Sequence, residues 1–431
     1  MDVVGTRNVL TSAAATRRYR QGYRYGDGPV IAVVRPGSLV EQWRVVVACL
    51  AADVTIILQA ANTGLTGGST PDGEGYPGGV VIVSLMRVRG VHLIDGGRQV
   101  VCLPGATLHD LERALRPFER EPHSVIGSSC IGASVMGGVC NNSGGALIRR
   151  GPAFSQLALF GRIDADGRLR LVNHLGIRIA GDVESVLHQV EAGAFDPAAI
   201  EDDASLWAHD HAYAEHVRRI DDDRPARYNA DPRRLFEGSG SAGKLVLFAV
   251  RLDTFPREAG TTTFYVGTND PAELTRIRRE ILRRFETLPI AGEYMHRTAF
   301  DIAARYGKDV FIAIRLLGTD RLPALFALRA RVDAIAGWLR LPGGAVSDRL
   351  LQWASRLFPH HLPQRMRQYR DRFEHHLLLK MPADGAAETR ALLDDMFPSA
   401  DGDYFVCSED EAAKAFLHRF AAAGAAVRYR A

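Results

Sequence analysis

Cysteine is scarce in this chain, and the five present (Cys49, Cys102, Cys130, Cys140 and Cys407) form no Cys-x-x-Cys pair. An odd, unpaired set argues against a disulfide framework or a cysteine-held zinc site and fits a reducing cytoplasm. No uncharged apolar run reaches the roughly 18 residues of a transmembrane helix, so any membrane contact is expected to be peripheral. Residues Met1 to Arg24 lack the basic-then-apolar pattern of a secretory signal. The net charge of +3 offers no global footprint for nucleic acid, and none is expected as a partner. There is no Gly-x-x-x-x-Gly-Lys-Ser/Thr motif, which excludes a P-loop nucleotidase.

What the chain does have is two glycine-rich runs, Gln59–Pro71 and Gly127–Gly145, each mixing glycine with small hydroxyl and amide residues and carrying no charge. Such runs let the backbone approach a ligand closely, and successive free N–H groups form a concave anion site. The first run fails the spacing of a Rossmann fingerprint, and Pro71 follows it in place of a long helix. Ordinary turns are the alternative for either run alone. Together they suggest one large phosphorylated cofactor held from two sides. Asn62, Thr63, Ser69, Ser134, Asn141 and Ser143 are candidate partners for its pyrophosphate and ring edges.

A length of 431 residues with 46% hydrophobic content implies two or three globular domains. Apolar, β-branched runs predict strands at 30–34, 54–58, 80–84 and 99–103, and helices at 38–51 and 107–115. Residues 157–175 read as a hairpin around Asp166-Gly167, 244–253 and 261–269 as strands, and 271–286 as a helix. This is a short-strand α+β pattern, with a boundary expected near 254. Between 315 and 372 eleven arginines face four acidic residues, a balance of +7, with Trp338, Trp353 and Phe358 interleaved. A basic face beside aromatic and aliphatic side chains suits an anionic phospholipid surface; a solvated helix face is the alternative.

Several segments closely resemble the bacterial respiratory, quinone-dependent D-lactate dehydrogenases, which are vanillyl-alcohol-oxidase-like flavoproteins. They are Ala60–Thr66, Arg120–Ser134, Ala226–Pro232, Gly243–Phe255, Ala291–Arg297 and Glu374–Met381. The resemblance runs from about Thr16 to Ala431. It implies an FAD-binding domain of two α+β subdomains (1–254), a cap domain built around an antiparallel sheet in two parts (255–296 and 373–431), and a basic, largely helical membrane-binding region (297–372). By motif position the FAD contacts would be Ala60, Ala61, Asn62, Thr63, Gly64, Gly68 and Ser69, then Gly127, Ser134 and Gly144, and Val246. The implied reaction oxidises D-lactate to pyruvate and passes electrons to membrane quinone, at the cytoplasmic face of the inner membrane. Members of the family continue beyond the point matching Ala431, so the cap is expected to be incomplete. Oxidation of another D-2-hydroxy acid, or an inactive membrane-binding flavoprotein fragment, are the alternatives.

Such an oxidation needs a base for the hydroxyl proton and a cation for the carboxylate. The base candidates are His296, His375 and His376, and Arg297 and Lys380 are candidate carboxylate partners. Alternation in a strand lets only one of His375 and His376 face the substrate. A structural role for these histidines is the alternative, and the family's own base is expected past Ala431. His123 is expected to brace the second glycine run. His209-Asp210-His211 has the spacing of a metal pair, but its acidic, loop-like setting points to a solvated surface loop, and no metal is expected.

Overall fold

A computed structural model describes residues 2–22, 24–123, 132–201, 203, 205–228, 230–308, 311–312 and 361–430. The chain divides into two compact units, one comprising Met1–Gly145, Arg150–Tyr213 and Pro225–Arg257, the other Ala146–Arg149, Ala214–Arg224 and Glu258–Ala431.

The first unit holds two sheets. Strands β1 (Val9–Leu10), β2 (Ala32–Val34), β3 (Thr55–Gln59) and β4 (Val80–Ser84) form one, in the order β1-β2-β4-β3. Strand β4 pairs in parallel with both β2 and β3 and is buried along its whole length, as an unbroken Val-Val-Ile-Val run requires. Helix α1 (Ala13–Arg20) precedes β2. Helix α2 (Leu39–Ala51) starts at Ser38, whose hydroxyl accepts from the Glu41 N–H, and the Glu41 carboxylate accepts from the Gly37 N–H in return.

The second sheet is antiparallel, in the order β5-β6-β10-β8-β9. It comprises β5 (Val91–Ile94), β6 (Gln99–Cys102), β8 (Ala158–Ile163), β9 (Leu169–His174) and β10 (Val246–Asp253), while the short β7 (Arg120–Glu121) pairs with β11 (Phe255–Pro256). Period-two alternation in β6 sends Val100 and Cys102 to one core and Val101 and Leu103 to the other. Helices α3 (Leu108–Leu115) and α4 (Val135–Cys140) cover the first face; α2 and α5 (Val183–Ala192) cover the second. Side chains as fully enclosed as Leu111, Phe160 and Phe248 stabilise the fold by about 1.5–3 kcal/mol each. Because β11 pairs with β7, the unit ends after Arg257, a little past the position expected from sequence.

The second unit is built on one antiparallel sheet, β13 (Ala291–His296), β14 (His375–Met381), β12 (Thr262–Thr268) and β15 (Gly402–Val406), in that order. A short helix, α6 (Tyr213–His216), lies where the chain crosses between units. On one face Phe264, Val266, Leu379 and Met381 pack with α7 (Pro271–Arg284) and α10 (Ala386–Met396). On the other, Tyr265, Met295, Leu378 and Phe405 pack with α8 (Arg297–Tyr306), α9 (Gln364–Arg372) and α11 (Glu409–Arg430). Phe300 of α8 and Met366 and Tyr369 of α9 lie in this core, so both flanks of the stretch read as membrane-binding (297–372) belong to the sheet's own packing. Its centre, residues 313–360, lies outside the described residues. Among the described residues no helix is long and apolar enough to cross a membrane.

Candidate functional site

The first glycine run leaves β3 as a loop that braces itself. Gln59, buried at the strand's end, donates its amide to the carbonyls of Tyr19 (2.8 Å) and Ser69 (2.7 Å). Asn62, held at φ 54°, donates to the Gln21 carbonyl (2.8 Å) and accepts from the Ser69 hydroxyl (2.8 Å). The side chains of Asn62 and Ser69 are therefore engaged in shaping the loop. The backbone is not: from Ala60 to Ser69 no N–H donates to another described residue. A Cβ built at Gly64 or Gly68 would meet no heavy atom within 4 Å. A row of free donors beside open space is the donor set a pyrophosphate requires, so these residues fit the FAD that the motif implies. The free N–H groups expected of such a run are present, and the Asn62 and Ser69 side chains brace the loop that carries them.

In the second run Ser134 caps α4, its hydroxyl accepting from the Gly137 N–H (3.1 Å), and the helix start is tied to the 106–108 turn by Val135 N–H donating to Ala106 O (3.0 Å). Asn142, buried and at φ 43°, donates to the Arg234 carbonyl (2.9 Å); the Arg234 guanidinium is paired with Asp210 and Asp231. Gly144 lies against Arg227: a Cβ there would approach Arg227 Nε to 2.6 Å, and Arg227 donates to the Gly145 carbonyl (3.0 Å). This cation beside the second run escaped the sequence reading, although it stands in the quoted motif Ala226–Pro232. His123 is buried near Gly138, and burial together with the Arg150 charge pushes its pKa down to about 4. Val246 opens β10, where it pairs with Gly161. Gly127 lies outside the described residues.

The substrate candidates lie in the second unit. Strands β13 and β14 pair His296 with His375 and Met295 with His376, so His375 and His376 point to opposite faces. His376 is 2% exposed between Tyr265 and Phe300, and its ring nitrogens lack partners of hydrogen-bonding geometry among the described residues. Burial, then the neighbouring charge of His375, pushes its pKa down to about 4. It is a neutral residue in the core of this unit.

The opposite face carries a polar group. The Tyr294 hydroxyl lies 2.8 Å from His375 Nδ1, and the His296 and His375 rings are 5.3 Å apart, edge to face. His296 caps α8, its Nδ1 accepting from the Thr298 N–H (3.1 Å). That bond puts the proton of the neutral ring on Nε2, so His296 presents a donor. Arg297 pairs with Glu374 at 2.8 Å. Tyr294 was not among the sequence candidates; its two-residue spacing from His296 was the available signal.

Comparison with known proteins adds to this geometry. A family model described as "FAD binding domain" matches residues 30–173, and one described as "D-lactate dehydrogenase, membrane binding" matches residues 263–431. The chain is 55% identical over 429 residues to a quinone-dependent D-lactate dehydrogenase of Escherichia coli (strain K12), covering all of this chain and 75% of that protein. It is 51% identical over 431 residues to the corresponding protein of Haemophilus influenzae, covering 76% of that protein. Among solved structures, p-cresol methylhydroxylase with substrate bound resembles it with a TM-score of 0.55 at 13% identity, covering 98% of this chain and 69% of the other. That likeness shows a shared α+β fold.

Proposed function

Since the chain belongs to the quinone-dependent D-lactate dehydrogenase family, we propose a division of labour between its two units. The protein is an FAD-dependent oxidoreductase that converts D-lactate to pyruvate and delivers the electrons to quinone. When bound, FAD supplies the two-electron acceptor. The first unit holds its pyrophosphate through the backbone N–H groups of Ala60, Ala61, Asn62, Thr63, Gly64 and Gly68, with Ser69 bracing the loop and Arg227 adding positive charge beside Gly144. Ser134 and Val246 hold the second loop and the returning strand in register.

The polar group of Tyr294, His296 and His375, where β13 ends and β14 begins, handles the hydroxy acid. Arg297 and the Nε2–H of His296 offer donors to the carboxylate. His375 takes the hydroxyl proton at Nε2 when its Nδ1–H donates to Tyr294. The observation that carries the assignment is the unpaired donor row of Ala60–Ser69 in a chain 55% identical to a curated D-lactate dehydrogenase. Anaerobic addition of D-lactate to the flavin-loaded protein should bleach the flavin absorbance, and a soluble quinone should restore it. A flavin that stays oxidised with D-lactate but bleaches with another D-2-hydroxy acid would move the assignment to that acid.

The chain contains a membrane-binding region by family match. We place its contact on an anionic phospholipid surface at the cytoplasmic face of the inner membrane. Of the described arginines, Arg365, Arg370 and Arg372 pair with Glu411, Asp301 and Asp403. We assign lipid contact to the arginines of this stretch outside those pairs, Arg367 and those from Arg315 to Arg356, the latter outside the described residues.

A further inference from the structure

One cluster in the first unit is absorbed by neither the cofactor nor the substrate reading. His209 and His211, in the loop expected to be merely solvated, converge on Asp253 at the end of β10. The Asp253 Oδ2 lies 2.5 Å from His209 Nδ1 and 3.8 Å from His211 Nε2. The donor atoms of all three residues lie within 4.8 Å of one another. We propose that His209, His211 and Asp253 bind a divalent cation of the zinc class.

Three features support a built site. The first is orientation of the carboxylate: Asp253 Oδ1 accepts from the Gln99 amide (2.8 Å), and Gln99 Oε1 accepts from Arg251 Nε (2.8 Å), which leaves Oδ2 aimed at the imidazoles. A carboxylate held this way by an outer partner is the usual support for a metal ligand. The second is orientation of the rings. His211 stacks on Trp207 (5.2 Å, 4°), and His209 meets Phe255 edge-on (5.1 Å, 80°). The third is anchoring of the loop: Trp207 N–H donates to the Gln156 side chain (2.8 Å), and Asp253 N–H donates to the Ala208 carbonyl (3.1 Å). Asp210, between the two histidines, turns away into its buried pair with Arg234.

Two imidazoles with centroids 4.0 Å apart repel if both carry charge, and a shared cation removes that conflict by binding both as neutral ligands. Ligand atoms on a tetrahedral zinc ion stand about 3.3 Å apart for bonds of about 2.0 Å, so separations from 2.5 Å to at most 4.8 Å need shifts of up to about 1.5 Å. Two nitrogens and one oxygen suit zinc, cobalt or nickel rather than magnesium or calcium. The partly exposed His211 leaves the fourth position to water. The ion ties the 207–211 loop to β10, a role separate from the redox chemistry.

The test uses the whole chain, stripped with a chelator and titrated with Zn2+ by calorimetry. One equivalent should bind, at least tenfold more weakly in His211→Ala and in Asp253→Asn. Equal affinity in the unaltered protein and both variants overturns the site. A second readout needs no variant: Zn2+ should protect His209 and His211 from diethylpyrocarbonate, mapped by mass spectrometry. Modification of both at the same rate with and without Zn2+ also overturns it.

Discussion

The hydroxyl of Ser69 donates to the side-chain oxygen of Asn62 at 2.8 Å, closing the first glycine loop on itself. Asn62 also bonds the Gln21 carbonyl, so one amide sets the loop's shape from both ends. Asn62→Ala removes both bonds at a position of positive φ. Each such bond is worth about 1 kcal/mol net. FAD affinity measured by flavin fluorescence should fall at least about tenfold. An unchanged dissociation constant would show that the loop's shape does not depend on this brace.

Gly144 and Arg227 form a second test. Gly144→Ala pushes a methyl group onto the guanidinium, at a cost of about 1–3 kcal/mol. Arg227→Ala removes the obstacle together with a positive charge. The double variant should therefore be less impaired in stability than the sum of the singles. Arg227→Ala alone should lower flavin retention in a salt-dependent way. Strict additivity in thermal denaturation would contradict the contact.

Acid stability follows from His376 and His418, both buried in the second unit. Burial, then the charge of His375, pushes His376 down to about 4; burial, then the charge of His361, pushes His418 down to about 3. The unfolded chain takes up these protons near 6.5, and the folded unit resists until far lower pH. Stability is therefore present above about 6.5 and is lost as pH falls towards 4, by an order of 3 kcal/mol per histidine. The free energy of opening in β14, read from hydrogen exchange corrected for its intrinsic pH dependence, should fall between about pH 7 and 5, and less so in His376→Leu. A matching fall in the variant would remove His376 from the account.

For turnover, His375→Asn should lower kcat for D-lactate by about 10²–10⁴, as loss of a positioned base does. His376→Leu should leave kcat within about tenfold, since the ring lies in the core. If His376→Leu is the more damaging of the two in a folded protein, the assignment of the base reverses.

On membranes, Arg329→Gln, Arg331→Gln and Arg340→Gln together should weaken binding to anionic vesicles about a hundredfold at low salt, at about 1 kcal/mol per charge. Arg365→Gln should instead destabilise the second unit by breaking the Glu411 pair, with little change in co-sedimentation. The reverse pattern would place the lipid contact on α9.

Much of the scaffold was legible from residue order. Hydrophobic periodicity placed β4, β6, β10 and β12 and helices α2, α3 and α7 within a residue or two, because burial imposes a local repeat on each element. The two glycine runs suggested a cofactor site, and both lie within the residues that the FAD-binding family model matches. The separation of His375 from His376 followed from strand alternation.

What residue order left open was which distant groups meet. Asn62 and Ser69 were read as ligand partners; that they also bond each other and close the loop is a contact that residue order did not show. His209 and His211 were read as part of a solvated loop, and His211 is exposed; what residue order did not show is that β10 brings Asp253 beside them across 42 or more positions. The arginines of α9 looked free for lipid, but folding delivers Glu411, Asp301 and Asp403 to three of them. The sequence by itself determined the elements, because those depend on local pattern, and its longer motifs carried the resemblance that the family match bears out. The contact of Tyr294 with His375, the burial of His376, the bracing of the loops and the His-His-Asp cluster were decided by sheet register and packing, which fix side-chain partners that no local pattern encodes.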